Sequence, residues 1–302
     1  MGYQPDFIDG HTIPLPQISQ RVRQNAFGGD FIHHSRHSLL FNQQRGLAYV
    51  SAHNIDGANI LDQAQSNRDF EFGPKIQPET LQIGNDQGYK QNHWDRGHLA
   101  RRKSVRWGNA DDARKAELES DFYSNIVPQH TRLHHASWGK IEDWMLDKVE
   151  GDSSQKACVF TGPIFTPDDP HYDNQLGKPP IQIPAGFWKI FAAEHAGELK
   201  SAGFLVWQRD YDHEEPLPFD PVLEQVRLST IEVLTGMVFP VLRPVDVLYF
   251  ENVKKKKTQP AAPGDGPVGA GPVGAGPGMF DRLQQASAPM HTVIDDPADI
   301  VF

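Results

Sequence analysis

Between Ala157 and Gln208 lie three apolar runs, ACVFTGPIF, IQIPAGFWKIFAAE and AGFLVWQ, separated by Pro, Gly and Asp clusters. Their content of β-branched and aromatic residues reads as consecutive strands of an antiparallel sheet. A further strand is predicted at Leu47–Ser51, ahead of the turn residues Asn54, Asp56 and Gly57. The stretch TRLHHASWGKIEDWMLDKVE places Trp138, Ile141, Met145 and Val149 at helical spacing, with Gly151 as a stop. A second helix is expected over Leu223–Leu234, ended by Gly236. With 302 residues, 38% of them hydrophobic, the chain can bury a sizeable core, and the pattern is α+β.

The ends differ from the middle. Residues 1–37 are rich in Pro, Gln, Gly and His without a sustained period, and are expected as an N-terminal arm lying on a domain that spans 38–253. Residues 254–279 open with Lys254 to Lys257 and continue as PAAPGDGPVGAGPVGAGPG, a composition that cannot form a packed core and reads as a flexible linker. Residues 280–302 regain apolar character in FDRLQQ and DIVF, which reads as a short segment docking on a partner or on the domain itself.

The net charge of −10 excludes a broadly basic nucleic-acid coat, so any such site is local. Cys158 is the only cysteine, which rules out an internal disulfide and a cysteine-based zinc site. The first thirty residues hold no apolar run of signal-peptide kind, and no stretch approaches the roughly 18 apolar residues of a membrane span. The expectation is a chain with no membrane association, cytoplasmic or exported by a non-classical route.

Chemistry concentrates in two places. In WDRGHLARRKSVRW, His98 is surrounded by Arg96, Arg101, Arg102, Lys103 and Arg106, a basic patch in an acidic chain. Cations beside a potential base suit phosphodiester hydrolysis, because the transition state carries more negative charge than the substrate. Residue types alone are equally served by an Asp95–Arg96 ion pair, a turn at Gly97 and an uninvolved His98. In the second segment His134, Trp138 and Glu142 can share one side of a helix, where an imidazole near a carboxylate suits a metal. A pair of surface histidines, His134 and His135, is the simpler reading of that segment by itself.

Taken together, Asp95-Arg96-Gly97-His98, Ser124-Asn125-Ile126-Val127-Pro128-Gln129 and His134-xxx-Trp138-xxx-Glu142 resemble the DNA/RNA non-specific endonucleases, which include endonuclease G. The likeness continues through Thr161-Gly162-Pro163-Ile164-Phe165, Ile183-Pro184, Phe187-Trp188-Lys189, Ile231-Glu232 and Thr235-Gly236. The resemblance implies a ββα-metal nuclease fold, a central antiparallel sheet flanked by helices. It implies His98 as general base, Asn125 as a residue positioning that base and the water network, Arg96 on phosphate, and Asp95 supporting the loop. A divalent cation, Mg2+, Mn2+ or another, would sit on His134, with Glu142 reaching it through water. Arg101, Arg102, Lys103 and Arg106 would join Arg96 in gripping the nucleic-acid backbone.

One departure is His134, where most relatives have asparagine; imidazole suits transition ions better than an amide oxygen does. The resemblance implies cleavage of DNA and RNA to 5′-phosphate products without sequence preference, since the assigned contacts are to phosphate and water. Relatives of this kind often form homodimers, and a nuclease held inside a cell needs an inhibitor. A phosphodiesterase on a smaller substrate, or an impaired relative that only binds nucleic acid through Arg96 to Arg106, are the alternatives. Other signatures are absent: there is no phosphate loop, and His213-Glu214 lacks the second histidine of HExxH.

Overall fold

A computed structural model of the chain describes residues 2–151, 155–208, 221–249 and 291–302. The linker 254–279, the first part of 280–302, and His213-Glu214 lie outside the described residues. Eight strands form one antiparallel sheet, in the spatial order His291–Val293, Leu223–Val226, Glu198–Trp207, Gly186–His195, Lys156–Ile164, Leu47–Asp56, His37–Asn42 and Ile32–His33. The three apolar runs are its neighbouring central strands, with Trp188 opposite Gly162 on one side and Leu205 on the other.

Successive side chains of a strand point to opposite faces, and here both faces are covered. Phe187, Phe191, Phe204 and Val206 enter one core, beneath Ile141, Met145 and Val149 of the helix Gly139–Gly151. Trp188, Ile190 and Leu205 enter the other, where Leu228 and Ile231 of the helix Leu228–Thr235 meet them. Strands wet on neither side have no reason to alternate in polarity, which is why they read as largely apolar runs, with Thr161 and Lys189 as buried polar exceptions.

The second core is also filled by Tyr3, Phe7, Ile8 and Ile13. The first 37 residues are thus more than a covering arm. The Tyr3 N–H donates to Ser38 Oγ at 2.9 Å, and its hydroxyl donates to the Ile13 carbonyl at 2.7 Å. Gln17–Ile18 pairs with Met237–Val238, and Ile32–His33 is the edge of the main sheet. Ile8 and Ile13, both almost fully buried, each contribute about 1.5–3 kcal/mol.

Two local expectations are corrected. Leu223–Val226 is a strand, not the start of a helix: it completes the ladder of Glu198–Trp207, which would otherwise be left with unpaired backbone groups. The helix begins only at Leu228, whose N–H donates to Asp246 Oδ2 at 2.9 Å, and it ends at Gly236, left-handed at φ 68°. The expected single helix after Thr131 is interrupted, because His134–Trp138 forms a π-helical turn before Gly139–Gly151. A Cβ at Gly139 would lie 3.1 Å from the His134 carbonyl, so a glycine eases the widened turn.

His291–Phe302 packs on the same domain. His291–Val293 pairs with Leu223–Val226, Gln225 exchanges two hydrogen bonds with the Val301 backbone, and Phe302 lies 5.7 Å from Trp144 and 5.1 Å from Phe191 between ring centroids.

Candidate active site

Trp94–His98 and Ile126–His130 pair as an antiparallel ribbon that leads into the helix region, which gives a ββα arrangement. Gly97 is required by crowding rather than by its dihedrals: a Cβ there would lie 2.2 Å from Gln129 Cδ. Asn125 is wholly buried and clamps the chain just after His98. Its Oδ1 accepts from Ala100 N–H at 3.0 Å, and its Nδ2 donates to the carbonyls of Ala100 and Ser120 at 3.0 and 2.8 Å. Both amide protons are spent on backbone, so what the geometry supports is the positioning of His98, not of water.

His98 Nε2 lies 2.8 Å from Asp121 Oδ1. Asp121 is fully buried and forms a second contact, 3.2 Å from Arg102 Nη1. Burial lowers the His98 pKa, and the hydrogen bond and charge of Asp121 oppose that fall without cancelling it. The ring is therefore neutral at pH 7, and with Nε2–H donated to Asp121 the free lone pair is on Nδ1. This is the state a general base needs.

On the neighbouring turn, Asp95 Oδ2 lies 3.0 Å from His134 Nδ1 and 3.1 Å from His135 Nε2. The three donor atoms lie within 4.8 Å of one another and form a set able to hold a cation. Burial raises the Asp95 pKa, but the hydrogen bond from His134 and the neighbouring imidazoles outweigh it and hold the carboxyl below its usual range. Glu142 is not one of this set: its Oε1 accepts from the buried Lys189 Nζ at 2.6 Å, and its Oε2 is 3.6 Å from Arg101 Nε. Lys189 Nζ also lies 4.7 Å from the Trp138 ring centroid. This contact places Trp138 and Glu142 on a common buried cation, while His134 faces Asp95.

The basic patch divides. Arg102 and Arg106 are buried, not presented to a ligand. Arg106 Nη1 lies 3.1 Å from Glu117 Oε1, and its other nitrogens donate to the Leu61 and Asp62 carbonyls; Arg102 reaches Asp121, Glu117 and Ser66. The physical reason is the pair of buried carboxylates, Glu117 and Asp121, which would otherwise lie uncompensated in the interior. Arg101 pairs with Asp143 at 2.8 Å and Lys103 with Glu150 at 3.9 Å, both nearer the surface.

Cations that do reach open space are Arg96, exposed and 4.3 Å above the Phe70 ring, and Arg68, also exposed. They line a groove of about 620 Å3 together with Asp95, Tyr123, His134 and His135. Arg68 and Asp121 were not anticipated from the sequence. For Asp121 a signal existed: Arg102 and Arg106 are four residues apart, as are Glu117 and Asp121, and two such pairs fit face to face. Arg68 carries no comparable local signal.

The two-stranded ribbon and the following helix, with Asp95 and His98 on the same strand and a set able to hold a cation at Asp95, His134 and His135, define the ββα-metal class of fold. The sequence profile of the DNA/RNA non-specific endonucleases matches residues 18–244, and the chain belongs to that family. It is 30% identical over 265 residues to the uncharacterized protein y4fB of Sinorhizobium fredii, covering 79% of this chain and 38% of that one. It is 28% identical over 158 residues to human mitochondrial endonuclease G, half of each chain, and 25% identical over 219 residues to human mitochondrial nuclease EXOG, 68% and 55%. The chain thus spans about half or less of these relatives. Among solved structures, the EndoG/EndoGI complex describing EndoG inhibition is similar in fold, with a TM-score of 0.55 at 19% identity, covering 72% of this chain and 89% of that one. No helix among the described residues is long and apolar enough to cross a membrane.

Proposed function

We propose that this protein is a divalent-metal-dependent endonuclease that hydrolyses DNA and RNA without sequence preference and leaves 5′-phosphates. The observation that carries the reading is His98, a neutral imidazole with Nε2 committed to a buried carboxylate. His98 Nδ1 takes the proton of the attacking water, and Asp121 fixes the ring and stabilises its charge once protonated. Asn125 holds the turn that follows the base. Arg96 and Arg68 bind phosphate oxygens in the groove, an interaction blind to base identity. His134 would hold a divalent cation, which would supply Lewis-acid stabilisation of the negative charge that develops in the reaction. Glu142, held by Lys189 and Arg101, supports the wall of the site and would reach the cation through water.

A binder without catalysis that used Arg96 to Arg106 is less well supported, because Arg102 and Arg106 are turned inward. The inhibitory EndoG/EndoGI complex motivates a protein inhibitor as partner. Plasmid nicking and single-stranded RNA degradation, each with and without EDTA, test the proposal. Both activities are expected, both stopped by chelation, with His98→Ala about 100- to 10,000-fold slower. Cleavage at one DNA sequence with RNA untouched, or normal turnover by a folded His98→Ala, would overturn it.

A further inference from the structure

We infer that Asp95 and His135 join His134 as direct ligands of one divalent transition ion, in a two-histidine, one-carboxylate site that holds its metal without nucleic acid present. This deepens the assignment of a cation to His134 and rests on it.

The distances carry the first step. Ligand atoms about 2.1 Å from a common ion lie about 3.0 Å apart at right angles and about 3.4 Å apart in a tetrahedron. Asp95 Oδ2 stands 3.0 Å from His134 Nδ1 and 3.1 Å from His135 Nε2, so both separations match neighbouring ligands with the backbone as it stands. Thr131 Oγ1, 3.4 Å from Asp95 Oδ1, braces the oxygen facing away from the histidines.

The local fold supplies the second step. Consecutive residues of an α-helix diverge by about 100° and do not face a common partner. His134 and His135 do so here: their ring centroids are 4.7 Å apart, and both contact one carboxylate oxygen. They open the π-helical turn His134–Trp138, a departure from α-geometry that recurs at functional sites. The ligands thus come from two elements, the ribbon strand and the turn.

The donor set then selects the metal. Two imidazole nitrogens and one carboxylate oxygen favour Mn2+, Co2+ or Zn2+, whereas Mg2+ prefers oxygen ligands and retains its waters. His135 is exposed and His134 partly so, and both line the groove with Arg68 and Arg96. The three side chains therefore border the space assigned to phosphate.

The test is Co2+ binding to the full chain, stripped with EDTA and dialysed, with no nucleic acid, followed by calorimetry and visible absorption, with a parallel Mg2+ titration. One Co2+ is expected per chain, far tighter than Mg2+. His135→Ala and Asp95→Asn should each weaken it at least about 10-fold, the lower end of what losing even an outer partner of a metal costs. His134→Ala should abolish binding. If the His135 and Asp95 variants bind Co2+ as the wild type does and only His134→Ala fails, the three-ligand site is wrong and the single-ligand cation stands. If His134→Ala also binds normally, the cation does not sit on His134 and both readings fall. Equal affinity for Mg2+ and Co2+ would overturn the metal selection. His135 is exposed, so its alanine variant tests the inference without threatening the fold.

Discussion

His98 Nε2 and Asp121 Oδ1 stand 2.8 Å apart, and Asp121 is in turn held by Arg102 Nη1 at 3.2 Å. The chain of contacts fixes the tautomer of His98 and adds a negative charge that favours the protonated ring. Asp121→Asn keeps the shape and removes that charge. Because Asp121 raises the His98 pKa against the larger opposite effect of burial, the acid limb of the kcat/KM profile should move to lower pH in the variant. The plateau should fall about 10- to 1,000-fold, since an amide can also stabilise the wrong tautomer. An unchanged acid limb in a folded Asp121→Asn protein would mean that Asp121 does not act on the base.

Arginines of one short segment should behave in opposite ways. Arg106→Ala leaves the buried Glu117 short of its nearest cation and should cost about 3 kcal/mol of stability, read from the urea midpoint. Arg96→Ala and Arg68→Ala remove exposed side chains from the groove. They should leave the midpoint nearly unchanged, weaken DNA binding, and reduce the slope of log K against log salt by about one each. A stable Arg106→Ala protein with a reduced salt slope would return that arginine to the binding surface.

The fate of these arginines shows where sequence reading stops. The central strands were legible because burial on both faces leaves Lys189, itself paired with Glu142, as the one charged residue within the run Phe187, Trp188, Ile190, Phe191. Gly236 was legible as a helix stop because a left-handed residue there favours glycine. The short strand Leu223–Val226 was not, since its conformation is dictated by its partners Glu198–Trp207 and His291–Val293 rather than by its own short pattern. His98 and His134 stood out by their spacing within recognisable segments. Whether a charged side chain turns outward or inward depends on a partner distant in sequence, and Arg68 entered the groove through folding alone. The arm before Ser38 looked peripheral because irregular backbone hides periodicity, although Ile8 and Ile13 are as buried as the sheet.

Acid should unfold this protein early, and the sign follows from three buried histidines. Burial lowers the pKa of His34 to about 2 and that of His37 to about 4, and takes His53 well below its ordinary value. Each is neutral in the folded state and protonates near pH 6.5 once unfolded. Their stabilising contribution is therefore intact above about pH 6.5 and is lost as pH falls towards their folded values, by about 1.4 kcal/mol per pH unit for each group. Urea midpoints between pH 7 and pH 4.5 should fall steeply, and His37→Gln should make the fall shallower. A flat profile over that range would show that these rings are not held neutral.

The last twelve residues offer a test of what the far end of the chain contributes. Residues 280–302 read as a short segment docking on a partner or on the domain itself, and within it His291–Val293 extends the sheet and Phe302 packs against Trp144 and Phe191. Phe302 is partly exposed, so Phe302→Ala should cost about 1–2 kcal/mol, less than a fully buried phenylalanine. For a domain of this size that corresponds to a Tm lower by about 2–8 °C. Deleting 291–302 should cost more, because the edge of Leu223–Val226 and both polar groups of the largely buried Gln225 amide lose their partners. Trp144 lies two residues from Glu142 on the helix Gly139–Gly151, so loosening this contact reaches the wall of the site. The truncated protein should therefore also lose activity at temperatures where the full chain is stable. If truncation at residue 290 leaves the Tm and the activity unchanged, the terminal strand contributes nothing to the stability of the sheet or to the wall of the site.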